Sequence, residues 1–358
     1  MSSEHISLTT KTIREQIQRH GYISVADYMN AVATDYYARG DVFGRGGDFV
    51  TAPEISQAFG EIVGLWAAVT WQQMGSPRHV HLVECGPGRG TLMADALRAT
   101  KGAHGFVTAA KIHLVERSPA LRALQKKTLS NHDITWHDDL ATVPDGPVII
   151  IGNEFLDALP VRQYQRTNDG WAERVITLDG RGELTFSTRP ADNIPIPIPL
   201  AVTAEVGAIF EFSEAITALV KHIANRIARN SGAALLIDYG HSASGLGDTL
   251  QAVKGHSYHN VLTSPGEADM TAHVDFAHVK AMAKSAGVCV FGPIEQGIWL
   301  RQLGIGLRQV QLARGKPADV AQTIEQGVRR LTEPHGMGVL FKVITLADPS
   351  LPRLEGFP

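Results

Sequence analysis

Acidic residues stand at the points where apolar runs of this chain stop: Glu84, Glu116, Asp138 with Asp139, Glu154 beside Asn153, and Asp238. If those runs are parallel strands, the acids converge, because open α/β sheets bind ligands outside the carboxyl ends of their strands, where the strand order reverses. The first acid opens the turn Glu84-Cys85-Gly86-Pro87-Gly88-Arg89-Gly90-Thr91. Glycines at alternate positions let a backbone approach a ligand closely and leave the next helix N-terminus aimed at it, which suits the carboxylate of a bound amino acid as well as a phosphate. Thr91 occupies the place of the third glycine of a dinucleotide fingerprint, which weighs against NAD or FAD, and no Lys-Ser or Lys-Thr pair follows for a nucleoside triphosphate. Glu116 closes the next apolar run after Gly90, where a carboxylate can accept both hydroxyls of a ribose. The alternative is a tight strand-helix turn with a solvated acid nearby, and the acids at the further strand ends make it the weaker one.

These residues need elements to position them. Apolar strands are expected at His79–Cys85, Lys111–Glu116, Ile134–His137, Val148–Gly152, Ala233–Asp238, Val288–Phe291 and Val339–Leu346. Helical periods fall at 91–100, 118–130, 205–230, 274–286 and 298–313. Buried strands alternating with amphipathic helices make a doubly wound, mostly parallel α/β sheet. Thr51 and Glu54 form a capping-box pattern ahead of a helix whose stripe is Ile55, Phe59, Ile62, Val63 and Trp66, with Gly60 and Gly64 permitting close approach of another backbone. Residues 11–33 read as helical, and 36–49 as a loop rich in glycine and aromatics, including Tyr36, Tyr37, Phe43 and Phe49. Residues 161–189 alternate like a hairpin insertion, Ile194–Leu200 reads as an extended proline-spaced connector, and 241–273 reads as a long loop. The division expected is an N-terminal helical cap or lid over 1–75 and a sheet domain over 76–358, with insertions near 160–203 and 241–273.

The 358 residues carry 33 Lys and Arg against 36 Asp and Glu, so the net charge of −3 offers no general attraction for nucleic acid. No apolar run reaches the roughly 18 residues of a membrane span, and no basic-then-apolar leader pattern opens the chain. Cys85 and Cys289 each sit in an apolar run and read as two buried free thiols, so the sequence places the protein in the reducing cytoplasm. The histidines include no helical pair with an acid at metal-ligand spacing, and His79 and His81, on one strand face, read as structural, so no metal is expected.

Glu84-Cys85-Gly86-Pro87-Gly88-Arg89-Gly90 resembles motif I of class I S-adenosylmethionine-dependent methyltransferases. Further blocks resemble the MidA-like family, whose members include a mitochondrial complex I assembly methyltransferase. They are Gly47-Asp48-Phe49-Val50-Thr51-Ala52-Pro53-Glu54, Asn153-Glu154-Phe155-Leu156-Asp157-Ala158-Leu159-Pro160, Asp238-Tyr239-Gly240, Asp269-Met270-Thr271-Ala272-His273-Val274-Asp275-Phe276 and Glu333-Pro334-His335-Gly336-Met337-Gly338. The glycine motif alone is generic; the ordered set, spread over almost the whole chain, is specific. The resemblance implies a seven-stranded Rossmann-like methyltransferase sheet, S-adenosylmethionine as cofactor, and symmetric methylation of a protein arginine on a core subunit of respiratory complex I. Two other readings are a chaperone of the same fold without catalysis and a small-molecule methyltransferase.

On that resemblance Gly86, Gly88 and Gly90 meet the methionine portion of the cofactor, Glu116 its ribose and Asp138 or Asp139 its adenine. Glu84 positions the turn or receives the ammonium group, and Asn153 orients a backbone or the target nitrogen. A guanidinium is protonated and delocalised, hence a poor nucleophile, and needs carboxylates to hold its planar fork; Glu154 and Asp157 are the candidates. Asp157 reads equally as a helix cap. His273 is a candidate proton relay or a surface residue, and Asp275 a cap for the helix near Phe276. Glu54 and Asp48 are expected against the cofactor, with the capping role of Glu54 as the alternative. Gly88→Val is expected to abolish cofactor binding by isothermal titration, and unchanged affinity would remove the glycine turn from the site.

Overall fold

The apolar runs supply seven strands of a twisted eight-stranded sheet, β1 (Val80–Cys85), β2 (Ala110–Val115), β3 (Ile134–His137), β4 (Val148–Asn153), β5 (Gly232–His241), β6 (Cys289–Glu295) and β7 (Phe341–Ala347), and the two-residue strand Val274–Asp275 pairs in parallel with the end of β5. In this computed structural model, which describes residues 8–38, 51–103 and 105–358, the order across the sheet is β6-β7-β5-β4-β1-β2-β3. Strands β1 to β5 pair in parallel, and β7 runs antiparallel between β5 and β6. The chain leaves β1 toward β2 and β3 and returns to β4 on the other side. The order therefore reverses between β1 and β4, and a crevice opens where they end.

All residues of β4 are buried, as are all but the last of β5, because helices cover both faces. One face packs the helix Gln57–Gln73 with Phe59, Ile62 and Trp66. The other packs the helices Glu214–Asn230 and Phe276–Ser285 with Val220, Ile223 and Val279. Gly60 and Gly64 do permit close approach: a Cβ at Gly64 would stand 2.5 Å from the Cα of Ala96, and one at Gly60 would stand 2.7 Å from the Cβ of Asp95. The N-terminal helices Leu8–His20 and Val25–Ala38 bury Ile13, Ile17, Tyr28 and Met29 against Val161, Ile176 and Met270 of the two insertions.

Several sequence expectations need correction. Thr51 makes no side-chain cap bond. Ala52–Ile55 is a separate four-residue helix, and Ser56, in extended backbone, caps Gln57–Gln73 by accepting from the Ala58 N–H. Residues 205–230 split into a strand, Ile209–Phe212, and the helix Glu214–Asn230 capped by Ser213. The alternating Ile-Phe-Glu-Phe pairs with the insertion strand Arg162–Thr167 instead of extending the helix. The proline-spaced run enters a helix at Ile198–Thr203, since proline fits a first turn. The long loop holds a three-stranded sheet of Gln251–Lys254, Ser257–His259 and Asp269–Thr271. The 298–313 period is two helices, Gln296–Gln302 and Ile305–Ala313, split at Gly304 with φ +82°. The helix Ala318–Thr332 is an addition to the elements expected from the sequence. Cys85 is buried, but Cys289 is exposed because it opens the edge strand β6. The expected loop residues Phe43, Asp48 and Phe49 lie outside the described residues. Tyr36 and Tyr37 belong to the helix Val25–Ala38.

The turn that follows β4 is held from β5. The fully buried Asp238 carboxylate accepts from the N–H groups of Phe155 (3.1 Å), Leu156 (2.8 Å) and Asp157 (3.2 Å) through one oxygen and of Tyr239 (2.9 Å) through the other. Glu154, just before this turn, donates its N–H to the Ile237 carbonyl at 2.9 Å and has left-handed backbone at φ +49°, a conformation that a non-glycine residue keeps only where its surroundings impose it. Asp238→Asn sets an NH2 group against at least one of these donors. The expected result is a loss of about 1–3 kcal/mol in urea unfolding, since a buried donor is left unpaired.

Candidate active site

The ends of β1 to β4 open on one cleft of about 1150 Å³. Pockets for one small ligand run to roughly 300–1,000 Å³, so this cleft has room for a cofactor and a side chain brought by a second molecule. Glu84, Gly86, Gly88, Glu116, Asp138, Asp139, Asn153, Glu154, Asp157 and His273 all line it. Gly90 does not. It is the left-handed N-cap of the helix Thr91–Ala99 and stands behind the cleft, where an added Cβ would meet Leu129 at 3.3 Å and the Cα of Gln125 at 3.6 Å.

At one end of the cleft the glycine turn holds Gly86 at φ +63° and Gly88 at φ +51°. A Cβ at Gly86 would fall 2.6 Å from the Phe155 ring, so only glycine fits. The helix beyond has no side-chain cap, which leaves its first N–H groups open to a ligand. Two buried acceptors on this cleft, Glu84 Oε2 and Asn153 Oδ1, have no partner among the described residues. Burial pushes the Glu84 carboxyl up to about 8. Unpartnered buried acceptors call for a donor from outside, and the ammonium of an amino acid fits that need.

Glu116 accepts from the Ser118 N–H at 2.8 Å and from Gln125 Nε2 at 3.3 Å, and burial raises its carboxyl above the ordinary range. Asp138 pairs with Arg122 at 2.6 Å. Asp139 accepts from the Ala141 N–H and pairs with Arg117 at 3.3 Å. Behind them His81, His113 and His137 form a hydrogen-bonded ladder with 2.9 Å links across β1, β2 and β3. It ends on Thr142, which donates to the Asp139 carbonyl. Of these three, the sequence points to His81 alone, as a structural residue.

The other end is acidic and aromatic. Glu154 Oε1 accepts from the Ala52 N–H at 2.7 Å and from Asn153 Nδ2 at 3.1 Å, and burial raises its carboxyl to about 7. Asp157, beside the Tyr239 hydroxyl, is pushed upward by burial as well. It caps no helix; its carboxylate accepts from the Ala158 N–H. The His273 ring stands edge-on to Tyr239 at 5.3 Å, and burial lowers its pKa below the ordinary imidazole value. Asp275 is the cap of the following helix, accepting from the His278 N–H at 3.0 Å. Glu54 receives the Thr91 hydroxyl at 2.5 Å, which ties its short helix to the start of Thr91–Ala99.

One pairing here escapes sequence reasoning, although Tyr37 is among the aromatics of the expected loop and Asp269 stands in a family block. Tyr37 donates to Asp269 at 3.0 Å, and both line the cleft. The one signal is the alternation Asp269, Thr271, His273, which sets three polar side chains on one side of an extended segment.

A family model for S-adenosyl-L-methionine-dependent methyltransferases matches residues 62–294. Protein arginine methyltransferase NDUFAF7, mitochondrial, of Danio rerio is 37% identical over 96% of this chain and 89% of its own length. The Homo sapiens protein of that name is 35% identical over 95% and 83%. A crystal structure from Burkholderia thailandensis, bound to S-adenosyl-homocysteine, is 28% identical and superposes with a TM-score of 0.82 over 97% of this chain and 93% of that one. These relatives overturn the cytoplasmic placement, because the NDUFAF7 proteins are mitochondrial by name. Among the described residues no helix is long and apolar enough to cross a membrane. A family model spanning most of the chain, with relatives 35% and 37% identical across nearly all of it, places the protein in the S-adenosyl-L-methionine-dependent methyltransferase family.

Proposed function

We propose that the cleft transfers a methyl group from S-adenosylmethionine to the guanidinium of an arginine in a protein substrate. The observation that carries this reading is the carboxylate pair Glu154 and Asp157 on the turn after β4, walled by Tyr37 and Tyr239. Paired acids match the two edges of a planar guanidinium, and aromatic faces accept its flat cation. The names of the 33–38% identical relatives support the same chemistry.

When bound, the cofactor supplies a methyl group on a positively charged sulfur. In this reading Glu84 and Asn153 accept from its ammonium, the Gly86 and Gly88 backbone lies against its methionine portion, Glu116 takes the ribose hydroxyls, and Asp138 or Asp139 takes the adenine. Gly90 serves by letting the following helix start close to Gln125. Glu154 and Asp157 draw hydrogen-bonded N–H groups toward themselves and hold one nitrogen toward the methyl donor, which raises its amine character. Once that nitrogen carries the methyl group, Glu154 takes the released proton. A carboxyl titrating near neutrality suits that step. His273 is placed to relay the proton outward. The resemblance described above extends this reading to symmetric dimethylation and to a core subunit of complex I as the protein substrate. Residues 1–75 are proposed to act as a cap on the substrate side.

Glu154→Gln is expected to keep cofactor affinity by isothermal titration and to lower transfer to an arginine-containing protein by roughly 10²–10⁴-fold, the usual scale of a lost acid-base group. Transfer in the wild type follows pH with a definite sign. A carboxyl whose pKa is raised to about 7 is half neutral there, so kcat/KM rises with pH through that value and then levels. Wild-type turnover in Glu154→Gln, measured with radiolabelled S-adenosylmethionine, would refute the role of Glu154.

A further inference from the structure

We propose that Gln125 is a positioning residue of the cofactor site, locking the glycine turn and the ribose-binding carboxylate at a fixed separation. The inference rests on the assignment of Glu116 and the turn to the cofactor. Gln125 lies on the helix Pro119–Thr128 and is fully buried. Its side chain meets three separate chain segments. Nε2 donates to the Gly88 carbonyl at 2.8 Å and to Glu116 Oε2 at 3.3 Å, while Oε1 accepts from Trp136 Nε1 at 2.9 Å. Those contacts join the turn after β1, the acid after β2 and strand β3 itself.

The orientation of the amide is fixed by chemistry. An indole N–H only donates, so the group facing it is the amide oxygen and the NH2 must face the other way. Both groups on that other side, a carbonyl and a carboxylate, only accept. Gln125 thus places one donor between two acceptors that otherwise repel, and every hydrogen-bonding group involved finds a partner. A residue that merely filled the space would need none of this polarity. The helix carrying it also packs on Gly90, so the spacing is held from two points.

The contact also tunes Glu116. Burial raises that carboxyl, while the Ser118 and Arg117 N–H groups, the Gln125 amide and the Arg122 cation oppose the rise. Arg122 in turn donates to the Glu116 carbonyl and to Asp138. Loss of the amide donor moves the titration of Glu116 upward and with it the pH below which a ribose is held weakly.

The test is isothermal titration of S-adenosylhomocysteine into the full chain from about pH 4.5 to about pH 8.5, a range that begins at the ordinary carboxyl value and runs upward from it. In the wild type, affinity falls toward the acid end as the Glu84 and Glu116 carboxyls take up protons. Gln125→Met is expected to bind about tenfold more weakly, with its fall-off moved to higher pH. Gln125→Glu keeps an acceptor for Trp136 and carries the test if Gln125→Met does not fold. At high pH its carboxylate faces two acceptors and binding is weak. As pH falls, the introduced carboxyl takes up a proton, donates in place of the amide, and affinity recovers, opposite in sign to the wild type. Affinities within twofold of wild type in the variants, or a wild-type pH slope in Gln125→Glu, would overturn the proposal, as would a lowered melting temperature with normal binding. Glu116→Ala separates the two layers. Normal affinity in that variant removes Glu116 from the site, whereas weak binding there with normal binding in the Gln125 variants overturns the Gln125 inference alone.

Discussion

The site depends on one buried carboxylate that belongs to no ligand. Asp238 gathers the amides of Phe155, Leu156, Asp157 and Tyr239, so the turn after β4 takes its shape from β5. That turn supplies Glu154 and Asp157, and its Phe155 ring leaves no room for a side chain at Gly86. Asn153, the last residue of β4, reaches Glu154 at 3.1 Å. Glycine turn and acidic pair are therefore set against each other across the point where strand order reverses. The parallel sheet delivers them there, but Asp238 fixes their mutual position.

A second set of contacts joins the N-terminal region to this centre. Glu54 receives the hydroxyl of Thr91 at the start of the helix Thr91–Ala99, and the Ala52 N–H donates to Glu154. A four-residue helix thus touches both halves of the cleft. Isolated, so short a helix has no stability of its own. Its position is held by these two bonds and by packing beside Gly327, where an added Cβ would come within 2.9 Å of the Ile55 carbonyl.

Much of this is legible in the sequence because it rests on short-range pattern. Apolar runs ending in acids locate the strands and most of the cleft's polar residues, since a parallel strand must be apolar throughout and a ligand site must be polar where it stops. The misses share a cause. Ile209–Phe212 reads as part of a helical period because its partner strand, Arg162–Thr167, lies far back in the chain, and pairing at that range leaves no local trace. The pairing of Asp269 with Tyr37 spans an even longer separation and leaves no local trace for the same reason. Gln125 is invisible because a glutamine in an amphipathic helix looks solvated until the helix is placed on the turn. That Gly90 stands off the cleft lining is equally hidden, because the glycine spacing reports backbone conformation and is silent on which glycine faces the cleft.

The chemistry also accounts for an arrangement that stability alone disfavours. Glu84, Glu154, Asp157 and Asp238 are all held in or beside one cleft, and burial raises each carboxyl above its ordinary range. Buried like charges repel, and unpaired ones cost desolvation. Asp238 meets this with four backbone donors. Glu154 has two donors on Oε1, and Glu84 retains an oxygen with no partner among the described residues. Glu84 is the acid proposed to meet an ammonium, and Glu154 and Asp157 those proposed to meet a guanidinium. Asp238, proposed for neither, is satisfied by the protein itself. The contrast between Asp238 and Glu84 follows from where the fold supplies donors and where it leaves an oxygen unpartnered.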